Sequence, residues 1–234
     1  MCGRYLIDDE AYSDLLQILH NLNIVKNTSG IDNLSHVDNL AKGEVFPTNT
    51  APVISESGVI TARWGFPHWK DTGVIINARS ETALEKKMFG TPMRKRRCVV
   101  PSCGFFEWGS GNTNPDGEGS YEETLFGGST YSGKVNYNNN RRKRKHKYLF
   151  NRPGEHSLYM AGITNTFRDI FGEEYTAFVI LTTAANESVA PIHDRMPVIL
   201  SSDEINHWTG DDSFMEFVIN RSGPKLSSVI ASSI

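Results

Sequence analysis

RCVVPSCGFFEW, residues 97–108, reads as strand, turn, strand, with β-branched and aromatic residues on either side of a short break. The same grammar recurs on both sides of it. Upstream, APVISESGVITARWGF (51–66) forms two strands around a Ser-Gly turn, and GVIINA (73–78) is a short buried strand. Downstream come YLF (148–150), SLYMAGITN (157–165), YTAFVILTTAA (175–185) and MPVIL (196–200). Helical periodicity is scarcer. Residues 8–20 place Ala11, Tyr12, Leu15, Leu16 and Leu19 on one face, with acids in the first turn. SETALEKKMF (80–89) is a second helix with Ser80 as N-cap, and SSDE (201–204) is a capping box for a third that ends near Gly210. Many short strands with few helices predict an α+β fold, a twisted, barrel-like, mostly antiparallel β-sheet core with flanking helices.

The chain has 234 residues, enough for one domain with a sizeable core. We expect a single domain over 1–234, interrupted at 109–147 by a polar, flexible insertion rich in Gly, Asn and Ser. The stretch 26–44 reads as a surface loop. No apolar run approaches the roughly 20 residues that cross a bilayer, and Asp8, Asp9 and Glu10 stand where a signal core would lie. The expectation is a cytoplasmic protein without membrane association, and a monomer. Three cysteines argue for reduced thiols, and Cys98 and Cys103 lack the His or Cys pair of a zinc site, so neither metal nor cofactor is expected.

The net charge of −3 conceals an asymmetry. RRKRKHK (141–147) holds six basic residues and leaves 18 basic against 27 acidic residues elsewhere, a balance of −9. Contacts to nucleic-acid phosphates must therefore concentrate in a groove or on that tract. The tract also fits a plain solvated charge run.

Four short stretches are dense in reactive side chains: MCGRY (1–5), INARSET (76–82), GFFEW (104–108) and PIHDRMPVIL (191–200). Once Met1 is removed, Cys2 carries a thiol and a free α-amine on adjacent carbons. The amine, with a pKa of about 8, attacks an aldehyde, and the thiol closes the imine to a thiazolidine. Cys2 equally fits a small buried hydrophobe. Glu107, between Phe106 and Trp108, is either a proton shuttle with a raised pKa or an edge-strand acid facing water. His193, beside Asp194, is a general acid–base unit or a structural His next to an Asp194–Arg195 ion pair. Asn77 and Arg79 alternate with Ala78 and suit an oxyanion or a phosphate, or else a loop cap and a surface ion pair. Trp64 and Trp69 are core residues, stacking platforms for bases, or one of each.

Taken in order, MCGRY, INARSET, CGFFEW and IHDRMPVIL resemble the SRAP family of SOS-response-associated peptidases, also called abasic-site processing proteins, from Cys2 to about residue 210. The resemblance implies a β-barrel-like α+β fold and a DNA-damage protein that covalently traps abasic sites in single-stranded DNA. On it, Cys2 is the crosslinking nucleophile exposed by autocatalytic loss of Met1. Glu107 serves self-processing and proton transfer at the amine, His193 opens the abasic sugar, and Asn77 holds the amino terminus or the sugar. Arg4 and Arg79 resemble phosphate-binding arginines, Trp108 an aromatic lining the DNA bend, and Lys87 a basic DNA contact, with Trp64 a further DNA-facing aromatic. Where the family commonly has a YNxxP-like segment this chain has EVFPTNTAPV (44–53), with Pro47 in place of that proline. The 109–147 insertion is longer than the Lys-rich hairpin the resemblance leads one to expect. Two other functions fit the same residues: an N-terminal-nucleophile or cysteine peptidase using Cys2, His193 and Asn77 in trans, and a module that binds single-stranded DNA without bond formation.

Overall fold

The computed structural model describes residues 2–11, 13–14, 43–68, 73–109 and 145–231. In chain order the strands begin with β1 (Arg4–Ile7), β2 (Gly43–Val45), β3 (Thr50–Ser55), β4 (Gly58–Trp64), β5 (Phe66–Pro67), β6 (Val74–Ile75) and β7 (Asn77–Arg79). Two short helices, α1 (Ser80–Ala83) and α2 (Gly90–Lys95), lead into β8 (Arg97–Ser102) and β9 (Gly104–Gly109). Then come β10 (His146–Asn151), β11 (Leu158–Arg168), β12 (Glu174–Ala184), β13 (Arg195–Pro197) and β14 (Ile199–Leu200). Helices α3 (Ile205–Gly210) and α4 (Asp212–Asn220) precede the last strand, β15 (Ser227–Ile230).

Strands β12, β4, β3, β8 and β11 pair in that order, and β11 pairs back onto β12, closing a five-stranded barrel. Every pairing in it is antiparallel except β12 with β4. β7 adds to β12, also in parallel, with Asn77 opposite Ile180. A second sheet, ordered β15-β10-β9-β1-β2, packs beside the barrel. The α+β, mostly antiparallel barrel expected from the sequence is what forms.

Period-2 alternation divides the barrel side chains between two cores. Val53, Trp64, Cys98, Val100, Met160, Phe178 and Ile180 join Tyr5, Phe105 and Phe150 of the second sheet. Their neighbours Ile54, Val99, Ala161, Val179 and Leu181 pack instead with Trp208, Met215 and Val218 of the helices. Each fully buried large side chain contributes about 1.5–3 kcal/mol relative to exposure. Arg97, on β8, pins the helices. Its guanidinium is buried and donates to the carbonyls of Met93 (2.8 Å) and Trp208 (2.6 Å) and to Asp212 (2.7 Å).

Several elements differ from the sequence reading. GVIINA splits into β6 and β7 because the Ile76 carbonyl leaves the ladder to accept Trp64 Nε1 (3.0 Å) and Ile180 N (3.1 Å). The 80–89 helix stops after one turn, where Glu85 N and Lys86 N both donate to the Thr82 carbonyl. Ser80 is buried and does not cap; Arg79 holds the N-cap position. MPVIL is two strands because it crosses from β12 to β11, with Val198 N donating to Leu181 O and its carbonyl accepting Ala161 N. The capping box of Ser201 and Glu204 is present, and its helix ends at Gly210.

β9 takes in Gly109 and β10 takes in His146 and Lys147, three residues that composition assigned to the insertion; 110–144 lie outside the described residues. So do Tyr12, Leu15, Leu16 and Leu19 of the first expected helix, the loop expected before Gly43, and Trp69. Among the described residues, no helix is long and apolar enough to cross a membrane.

Candidate functional site

Cys2 precedes β1, which pairs antiparallel with β9 (Arg4 opposite Phe106), so the start of the chain lies at the Glu107–Trp108 end of that strand. The Cys2 side chain is fully buried, and its Sγ donates to the Arg4 carbonyl at 3.6 Å. Asn77, at the head of β7, donates Nδ2 to the Cys2 carbonyl at 2.9 Å. Its Oδ1 is buried and has no hydrogen-bond partner among the described residues. Two of the four motifs thus meet through one amide.

Glu107 is 3% exposed and faces Tyr148 across the β9–β10 ladder. Burial raises its carboxyl above the ordinary range, while the amino-terminal charge and His193 pull against that rise. The Cys2 thiol is pushed far up by burial and then by the charge of Glu107, with the amino-terminal charge opposing. In this arrangement the sulfur is a neutral thiol.

His193 sits in a turn that Val189 closes by accepting from Ile192 N (2.8 Å) and His193 N (2.9 Å). The turn reaches β9 because Gly109 has no side chain: a Cβ there would lie 2.9 Å from Ile192 Cγ2. His193 Nδ1 is 3.0 Å from both Arg195 N and Asp194 Oδ1. It can accept from the first or donate to the second, not both at once. Accepting puts the ring proton on Nε2, which is then a hydrogen-bond donor; donating leaves Nε2 as the acceptor that can take a proton. The Asp194–Arg195 pair weighed from the sequence is not the one formed. Arg195 forks instead onto Glu81 (2.6 and 2.8 Å), whose carboxyl it holds below the usual range.

Arg4 lies over the rings of Phe46 (4.5 Å) and Trp108 (5.1 Å), which are exposed and half-buried respectively. Arg79 is exposed at the end of β7. Pro47 lies in the β2–β3 turn beside Thr48, whose φ is 74°. Lys87 is exposed between α1 and α2, and no hydrogen bond or ion pair among the described residues ties it to this group.

Trp64 is corrected from a DNA-facing aromatic to a core residue. It has no exposed surface, stacks on Phe178 (6.2 Å), meets Tyr5 edge-on and spends its Nε1 proton on Ile76. A ring without exposed surface offers a base nothing to stack on.

A cleft of about 360 Å³, lined by Lys95, Arg96 and several hydroxyls, holds none of the expected site residues. Its Thr176 lies six residues along β12 from Thr182, or about 20 Å at strand spacing. The sequence reading passed over Glu44 and Phe46 and took Lys147 only as part of the basic tract; the three gather around Arg4. The signals it had for them were the aromatic–proline start of the turn and the last cation of the basic tract.

A family model described as SOS response associated peptidase (SRAP) matches residues 1–123 and 134–217. Abasic site processing protein YoqW of Bacillus subtilis is 29% identical over 223 residues, covering 89% of this chain and 80% of its own length. Abasic site processing protein HMCES of Rattus norvegicus is 30% identical over 168 residues, covering 66% of this chain and 45% of its own length. A crystal structure of a Bacteroides thetaiotaomicron protein aligns with a TM-score of 0.70 at 21% identity, over 99% of this chain and 93% of that one, a likeness of fold.

Proposed function

Because the chain belongs to the SOS response associated peptidase (SRAP) family, we propose that it processes abasic sites in single-stranded DNA through a covalent bond to Cys2. The observation that carries this reading is the Asn77–Cys2 hydrogen bond, made where the amino-terminal charge, Glu107 and His193 act on one another.

The chemistry runs in three stages. In the first, the ionised Glu107 takes a proton from the water that cleaves the Met1–Cys2 peptide bond and passes it to the departing Cys2 amine. Asn77, bonded to the Cys2 carbonyl, keeps the new terminus from swinging away. In the second, an abasic sugar enters, and His193, in its base form, moves the proton that opens the ring to the aldehyde. In the third, the amine adds to the aldehyde carbon and water is lost to give an imine. The sulfur then bonds to that carbon while the thiol proton ends on nitrogen. The product is a thiazolidine, and this third stage releases one water. Intramolecular ring closure gives it persistence that a simple imine lacks.

Arg4, Arg79, Lys87, Trp108 and Pro47 serve as strand contacts in this reading. A chain of net charge −3 manages with so few because the covalent bond supplies the residence time. The test is a denaturing gel of the protein with abasic and with intact single strands, run beside a peptide-cleavage assay. A heat-stable adduct on the abasic strand alone supports the proposal. Peptide turnover without an adduct would replace it with a peptidase, and salt-reversible binding alone would replace it with a non-covalent binder.

A further inference from the structure

On the second sheet, alternation turns Glu107 to one face of β9 and Phe106 and Trp108 to the other. On that other face, Arg4 is the cross-strand neighbour of Phe106, and Lys147 that of Trp108. Arg4 lies over Trp108 and Phe46, and Lys147 Nζ sits 4.0 Å from the centre of the Phe106 ring. Two cations are thus seated on three aromatic rings.

Glu44, on β2, reaches both of them. Its Oε2 is 3.3 Å from Arg4 Nη1, and its Oε1 pairs with Lys147 Nζ. The side chains of Glu44 and Lys147 are 19% and 18% exposed, and that of Arg4 is 38% exposed. One carboxylate therefore presents an oxygen to each cation. A phosphodiester also carries one negative charge on two free oxygens, and it fits the same fork.

We propose that Arg4 and Lys147 form a seat for a DNA phosphate, with Lys147 a further strand contact, and that Glu44 fills this seat until the strand arrives. Loading the strand then exchanges a carboxylate for a phosphodiester. This inference rests on the single-stranded DNA reading above. Its consequence is selectivity. Glu44 competes equally against intact and abasic strands, but only an abasic strand goes on to form the covalent bond, so the seat suppresses idle binding to undamaged DNA.

The experiment measures fluorescence anisotropy of a labelled intact oligonucleotide, which has no aldehyde, against full-length wild type, Glu44→Gln, Lys147→Gln and the double variant over a range of salt. Removing the resident anion should tighten binding about two- to fivefold, the scale of one surface ion pair. It should also steepen the salt dependence by about 0.7 in log–log slope, the single-strand value per phosphate. Lys147→Gln should weaken binding and flatten the slope by about the same amount. In the double variant the gain from Glu44→Gln should shrink, because half the seat is gone. If Glu44→Gln and Lys147→Gln, both shown folded by circular dichroism, bind like wild type with the same slope, the seat is refuted. If wild type itself fails to bind single strands, the DNA reading fails first, and the wild-type curve alone tells the two failures apart.

Discussion

The amide of Asn77 donates to the carbonyl of Cys2 at 2.9 Å, a bond between residues 75 positions apart. It fixes Cys2 against a strand on the rim of the barrel, where the charge of Glu107 also acts on its thiol.

Replacing Asn77 with Leu removes the donor at similar size. We expect crosslinking in single-turnover time courses to slow by about tenfold or more, combining one hydrogen bond with the loss of orientation. Thermal stability should hold or rise, because the substitution also removes a buried oxygen that has no partner among the described residues. Undiminished crosslinking would show that the bond does no positioning.

Glu107 should give the reaction its acid limb. Because burial raises its carboxyl, Met1 removal should fall off with decreasing pH above the ordinary glutamate value of about 4.3. The stability effect has the opposite sense to that of a salt-bridged acid. The folded state holds this proton more tightly than the unfolded one, so stability is lost as pH rises from the unfolded value through the folded one. Glu107→Gln should retain Met1 by mass spectrometry and should lose that part of the pH dependence. Complete processing in the variant would remove Glu107 from its role.

Thr48 is a β-branched residue in the left-handed region, held there by its N–H donating to Trp64 O at 2.8 Å. Such a backbone costs a non-glycine residue about 1–2 kcal/mol, and glycine returns part of that gain as chain entropy. Thr48→Gly should therefore stabilise the protein by up to about 1 kcal/mol, raising the thermal midpoint by about 2–4 °C. A lowered midpoint would mean the hydroxyl or methyl group holds the Pro47 turn.

The barrel strands were legible because burial on both faces writes itself as apolar runs, as in Val99–Val100 and Phe178–Leu181. The breaks within them were not. The Ile76 carbonyl leaves its strand for the Trp64 indole, and Val198 bridges β11 and β12, both long-range choices with no local signature. Helix α4 and strand β15, beyond Gly210, went unread, although Asp211 caps α4 by accepting from Ser213 N and Phe214 N. Cys2, Asn77, Glu107 and His193 were named from four separate motifs. Their meeting is assembled by β1 pairing with β9, by the His193 turn packing on Gly109 and by β7 running parallel to β12, contacts no single motif encodes. Trp64 was misjudged because indoles in cores and indoles on DNA-binding faces look alike in sequence. Glu44 was missed because its meaning comes only from the two cations it holds.

The most direct measurement is the intact mass of the product formed between wild-type protein and an abasic single strand. The account predicts the protein without Met1 plus the oligonucleotide minus one water, and no such species from Cys2→Ser. An adduct that retains Met1, or one formed equally well by Cys2→Ser, would contradict it.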